Sequence, residues 1–317
     1  MPESKPTRST STATRPTRRQ LRLVDARSYI AEKPQPSSDE LAFGARELVL
    51  ATLPHAAPAG DPPEWTRRNG RFTLSIRPGW RTDHETGERK PIGYPYGVIP
   101  RLLLFWLTTE AVRTQSRRVE IADSLNGFLR RLSLSPDTGG GRRGDATRLR
   151  EQMERLFRAT ISFEYTESPG THQAWLDMQI APRAQLWWDP HRPEEASIWG
   201  SWVELSHEFY EAIIARPVPL DLRAIRALKS SPLALDFYAW IAWRHWVVSQ
   251  KGDVAFVPWR ELRRQIGAEY GRLRDFKRKG KQALMKVLAL YPDLQVKDVD
   301  GGLQIHPGRP LIDRHVS

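Results

Sequence analysis

The densest run of chemically active side chains lies between residues 272 and 286. It holds Arg272, Arg274, Lys277, Arg278, Lys279, Lys281 and Lys286, opposed only by Asp275. Leu273, Phe276, Gly280, Leu284, Val287 and Tyr291 recur at three- and four-residue spacing, which predicts a helix over about 270–290 with an apolar back. Arg274, Arg278, Lys281 and Gln282 then face away from that stripe or flank it. A helix of this kind suits the major groove of duplex DNA. Arginine grips the two acceptors of guanine, glutamine pairs with adenine, and lysine neutralises phosphate. The plainer reading is a solvated basic face. The flanking elements favour the DNA reading: a helix over 258–267 precedes, and a hairpin follows, with strands near 294–297 and 303–305 and a turn at Asp300-Gly301-Gly302.

A weaker copy of this pattern occurs earlier. Arg142, Arg143, Arg148, Arg150, Arg155 and Arg158 stand against Asp145, Glu151 and Glu154. Leu149, Met153, Leu156 and Phe157 form its buried stripe, and Arg148, Arg155 and Arg158 point outward. Pairs within the helix, such as Glu151 with Arg155, absorb part of this charge, so phosphate contact and a solvated face weigh equally here. The preceding segment TGGGRRG, residues 138–144, is either a backbone-rich phosphate cradle with two arginines or a loose turn.

Other chemistries lack their residues. No glycine loop of the P-loop type precedes Gly280-Lys281, which excludes a P-loop ATPase. The eight histidines form no His-x-His pair, and His207-Glu208 is not followed by a second ligand one helical turn on. Tyr94, Tyr96 and Tyr165 therefore lack the metal ligands of a nicking nucleophile. There are no cysteines, which excludes disulfide frameworks, thiolate metal sites and thiol nucleophiles. The expectation is a non-enzymatic protein with no metal or cofactor.

Among 317 residues, 49 Lys and Arg oppose 37 Asp and Glu, a net charge of +12 that calls for a polyanionic partner. The longest apolar run, Leu102 to Leu107, is far short of the roughly 18 residues of a membrane span. The N-terminus is basic and lacks an apolar signal core, so a cytoplasmic protein bound to DNA, not to membrane, is expected.

The elements around these clusters repeat one order. Residues 1–37, rich in Ser, Thr, Pro and basic side chains, read as a disordered tail whose removal leaves a folded protein. A helix over 38–53, capped by Ser38, and a strand over Phe72, Leu74 and Ile76 come next. Helices follow over 99–113, 121–132 and 145–160, then strands at 161–165 and 174–180. Residues 190–195 look like a linker. The second half has short helices over 206–215 and 220–228. A long helix, 232–248, follows, then the helix, basic helix and hairpin already described. The twelve tryptophans, with Trp240, Trp243 and Trp246 in the long helix, read as core rather than as stacking platforms; Trp187 and Trp188 suit a domain interface. The fold expected is α+β and mainly helical. Two winged-helix domains, 38–190 and 191–317, stand in tandem behind the basic tail.

The stretch GYPYGVIPRLLLFWLTTEAVRTQSRRVEIADSLNGFLRRLSL, residues 93–134, resembles the RepA family of plasmid replication initiators. TGGGRRGDATRLREQMERLF, residues 138–157, continues the resemblance. PLALDFYAWIAWR, VPWRELRRQIG and RLRDFKRKGKQAL, residues 232–244, 257–267 and 272–284, are similar to the C-terminal winged helix of such initiators. The resemblance implies binding to short direct repeats (iterons) at a plasmid origin, help in opening the adjacent duplex, and recruitment of the host initiator and replicative helicase. It also implies a monomer–dimer balance, with a homodimer as one state. The residues alone leave a winged-helix transcriptional regulator as the alternative.

Overall fold

Hydroxyl side chains mark where several helices begin. Ser124, Ser206 and Ser231 each accept the N–H of the residue three positions on, at 3.1–3.2 Å. Each satisfies a donor the helix itself leaves free. The computed structural model describes residues 17–83, 85–122, 124–136, 144–168, 172–186, 200–267 and 270–313. The N-terminal part runs α1 (Arg18–Glu32), β1 (Leu41–Gly44), α2 (Arg46–Leu50), β2 (Trp65–Asn69), β3 (Phe72–Arg77), β4 (Trp80–Thr82) and β5 (Arg89–Pro91). Then come α3 (Val98–Thr114), β6 (Arg118–Glu120), α4 (Leu125–Arg131), α5 (Asp145–Arg158), β7 (Thr160–Ser168), β8 (His172–Gln179) and β9 (Arg183–Gln185). The rest is β10 (Trp202–Glu204), α6 (His207–Ala215), β11 (Val218–Asp221), α7 (Leu222–Leu228), α8 (Pro232–Lys251), β12 (Ala255–Pro258), α9 (Trp259–Ile266), α10 (Leu273–Leu290), β13 (Val296–Val299) and β14 (Gly302–Ile305). The protein is mixed, with helix outweighing strand.

The expected order of three helices and a hairpin occurs twice, each time with a strand after the first helix, which for residues 118–120 the sequence did not suggest: α3-β6-α4-α5-β7-β8 and α8-β12-α9-α10-β13-β14. The strand pairing differs between the two. In the second unit, β12 joins its own hairpin in one antiparallel sheet of order β12-β14-β13. In the first, the hairpin β7-β8 pairs through β7 with β3, which pairs with β2, while β6 pairs with β10. The cause is apolar complementarity. β3 presents Leu74 and Ile76 opposite Phe163 and Ile161, all buried, whereas β6 offers Val119 alone, which sits opposite Val203.

Two expectations need correction. Residues 18–32 are a helix and not part of a disordered tail; the first sixteen residues lie outside those described. Thr17 and Gln20 form a reciprocal capping box, and Ile30 is buried with Leu23 and Ala26 packed beside it. Arg223 fastens this segment, donating to the Lys33 carbonyl at 2.7 Å with Tyr29 under its guanidinium. Averaging the composition over 1–37 hid this 3.6-residue stripe. Second, residues 41–44 are strand rather than helix, because Leu41–Gly44 pairs with Val218–Asp221; tertiary pairing overrides a local helical pattern. Strands on either side of residue 190 share sheets: β10 with β6 and β9, and β11 with β1. The described residues form one contiguous apolar core from Ile30 to Ile305. The 190–195 segment lies outside the described residues, as do Trp187 and Trp188.

A buried ion pair ties α3 to α8. Arg101 places Nε and Nη2 on the two Asp236 oxygens, each at 2.7 Å. Its remaining N–H groups go to the carbonyls of Leu53, Pro54 and Gly97. His55 Nε2 lies 2.7 Å from Asp236 Oδ2. Burial alone would raise the Asp236 carboxyl, but Arg101 and the His55 hydrogen bond outweigh it and hold the group well below the usual carboxylate range. Of the three tryptophans expected in the core, Trp240 is buried, its indole N–H donating to Gln265 at 3.0 Å, whereas Trp243 and Trp246 are half-buried; Trp259 is buried as well.

Candidate nucleic-acid interface

α10 is built on aromatic packing. Phe276 meets Phe237, Trp259 and Tyr270 at ring separations of 5.7–6.4 Å. Gly280 is required one turn later, since a Cβ there would stand 2.8 Å from the Trp259 ring and 3.2 Å from Phe237. Ala283, Leu284, Val287 and Leu290 complete the buried face, which packs on α8 and is flanked by α1, α7 and α9. The predicted stripe is therefore the observed one, with Leu273 only half buried.

The opposite face is cationic. Arg272, Arg274, Arg278, Lys279, Lys281 and Gln282 are exposed, and Lys277 is half-buried. Among the described residues no carboxylate pairs with Arg272, Arg274, Lys277, Arg278 or Lys279. Lys281 differs: its Nζ is 2.5 Å from Asp298 Oδ2 on β13. The other oxygen of Asp298 accepts the Trp259 indole N–H at 3.2 Å. The hairpin thus fixes Lys281, while among the described residues Arg272, Arg274, Lys277, Arg278 and Lys279 have no carboxylate partner. Arg260 on α9 is also exposed and without a carboxylate partner among the described residues. The sequence reading passed over it because WRELRR reads as an ordinary amphipathic helix.

α5 has the predicted stripe of Leu149, Met153, Leu156 and Phe157, all buried, but three of its four arginines are occupied, Arg150 being the exception. Arg148 pairs with Asp145 at 3.2 Å, Arg155 with Glu151 at 3.9 Å, and Arg158 with Glu154 at 3.6 Å. Arg155 also lies over the Tyr96 ring, 5.4 Å from its centroid. Arg142, Arg143 and most of the TGGGRRG segment fall outside the described residues. α5 and α10 rest on different supports: α5 on α3 and α4, α10 on α8 and its neighbours. The two clusters thus differ in degree: α5 is largely neutralised by its own carboxylates, and α10 is largely open.

Among the described residues no group of three or more His, Asp or Glu is placed to hold a metal ion, and no helix is long and apolar enough to cross a membrane.

No curated protein matches the chain in sequence. A crystal structure of domains 2 and 3 of RctB, as selenomethionine derivatives, superposes with a TM-score of 0.49 and 13% identity, covering 82% of this chain and 96% of that one. The family described as plasmid-encoded RepA protein matches residues 94–260, ending inside α9 and short of the α10 cations. That match runs through more than half of the sequence, from just before α3 to the start of α9, and the chain belongs to the family of plasmid-encoded RepA proteins.

Proposed function

We propose that this protein is a plasmid replication initiator that binds direct repeats in duplex DNA at the plasmid origin, with α10 as the reading helix. The observation that carries this is the open cationic face of α10, held by aromatic packing on α8 and α9. Both repeated units are read as winged-helix modules. The second is the better match, because its hairpin and the strand between its first two helices share one sheet. Free cations supply phosphate contacts, and Arg278, Arg274 and Gln282 are placed at successive turns to meet base edges. The paired Arg148, Arg155 and Arg158 make α5 the lesser contributor. Family membership supports a role at an origin; opening of the duplex, recruitment of host initiator and helicase, and a homodimeric state are part of the proposal. The protein acts by binding, without a metal or cofactor, in the cytoplasm and away from membranes.

Footprinting on the DNA adjoining this gene tests the reading. A ladder of protected direct repeats is expected; a single protected palindrome would favour a transcriptional regulator. Arg278→Ala is expected to cost about 1–3 kcal/mol on the repeat and much less on random duplex. Equal losses on both would reduce Arg278 to a phosphate contact.

A further inference from the structure

The outward face of α5 does not stand free. The β4-β5 hairpin lies against it: Arg81 donates through Nε to Glu154 Oε1 at 3.0 Å and through Nη2 to the other oxygen. Arg158 donates to the Trp80 carbonyl at 3.1 Å. Gly79 permits this approach, since a Cβ there would fall 2.5 Å from the Arg158 carbonyl oxygen. A DNA major groove about 12 Å wide accepts a bare helix of about 10–12 Å diameter. A helix with a hairpin against its outer face does not enter in that orientation.

The hairpin and α5 instead enclose an open groove of about 1050 Å³ that continues to the segment between β8 and β9. Its walls carry Arg77, Arg81, Arg89, Arg150 and Arg158, against Glu151 and Glu154. Glu154 is already shared by Arg81 and Arg158. Arg150 is exposed and has no carboxylate partner among the described residues. On the hairpin side Trp80 is 50% exposed, with the Arg89 guanidinium 5.9 Å from its ring centre. A cationic groove with one open indole has the two elements that hold a single strand: cations along the phosphates and an aromatic surface for a base.

We propose that the groove between the β4-β5 hairpin and α5 is a second nucleic-acid site, which takes single-stranded DNA through Trp80, Arg89 and Arg150. It is separate from the α10 face and does not depend on α10 reading duplex DNA.

Fluorescence anisotropy of the full chain with labelled dT20, and in parallel with a labelled duplex carrying the sequence protected in the footprint, tests this. Trp80→Ala is expected to weaken dT20 binding roughly tenfold and leave duplex binding unchanged. Trp80→Phe restores most of it. Arg89→Ala with Arg150→Ala lowers the slope of log affinity against log salt for dT20 by about 0.7 per lost contact. Arg278→Ala does the opposite of Trp80→Ala, weakening duplex and sparing dT20, so failure of the α10 reading is seen separately. Because Trp80 and Arg150 are exposed, the variants melt as the parent does. Binding of dT20 unchanged by these substitutions, or lost in parallel with duplex binding, overturns the proposal. So does tighter binding of rU20 than of dT20, which would make the ligand RNA.

Discussion

Asp298→Asn tests the α10 surface by a gain rather than a loss, so misfolding cannot imitate the result. Asp298 restrains Lys281 through one oxygen and accepts the Trp259 indole N–H through the other. The Lys281 and Asp298 side chains are 49% and 31% exposed, so the pair contributes at most about 1 kcal/mol to stability. Asparagine keeps a carbonyl oxygen for the indole, and the melting temperature stays close to the parent's. On DNA the effect is larger. Lys281 is released beside the free cations of α10, and a negative charge is removed from the surface that meets phosphate. One additional phosphate contact steepens the salt dependence by about 0.9, an extra loss of roughly three- to fourfold between 50 and 200 mM salt, with correspondingly tighter binding at low salt. Anisotropy on a random duplex at four salt concentrations measures this. An unchanged or shallower slope in a variant that melts normally would refute α10 as the phosphate-facing surface. Asp298→Ala is the companion: it frees Lys281 equally but strands the indole N–H, adding about 1 kcal/mol of destabilisation without altering the slope further.

Gly280→Ala should destabilise the fold although alanine is the better helix former. The helix gain is about 1 kcal/mol, whereas forcing a methyl group against Trp259 and Phe237 costs about 1–3 kcal/mol; a higher melting temperature would show that α10 can shift off its support. Stability should also decline as the pH falls below neutrality. Burial pushes His55 and His245 below their ordinary value of 6.5, for His55 against the raising effect of Asp236 and with Arg101 and Arg67 adding to the depression. The unfolded chain therefore takes up protons at these rings first, and native stability, complete above about pH 7, is lost below it. Asp236, held low, contributes a further loss only in stronger acid. Equal urea midpoints at pH 7.5 and 5.5 would contradict this account.

Much of the candidate site was legible before the fold was known, because helix periodicity is local. Phe276, Gly280, Leu284 and Val287 at three- and four-residue spacing, with cations between them, specify both a helix and its orientation, and the structure buries and exposes these residues accordingly. The repeated order of three helices and a hairpin was equally readable, as were the serine caps at 206 and 231. The charge state of the surface was not. Whether an arginine is free for phosphate depends on carboxylates that the chain brings from elsewhere: Glu154 reaches Arg81 across 73 positions, and Asp298 reaches Lys281 from the hairpin. Sheet partnership has the same character. β6 lies where a winged-helix strand is expected, yet Val119 pairs with Val203, because β3 offers the longer apolar edge to β7. The union of the two halves was hidden most completely: Arg101 and Asp236 sit 135 positions apart, and each looks like an ordinary surface charge until burial makes the partner obligatory. Local spacing determined which faces are apolar and which are basic; only tertiary contacts decided which charges remain available to a ligand.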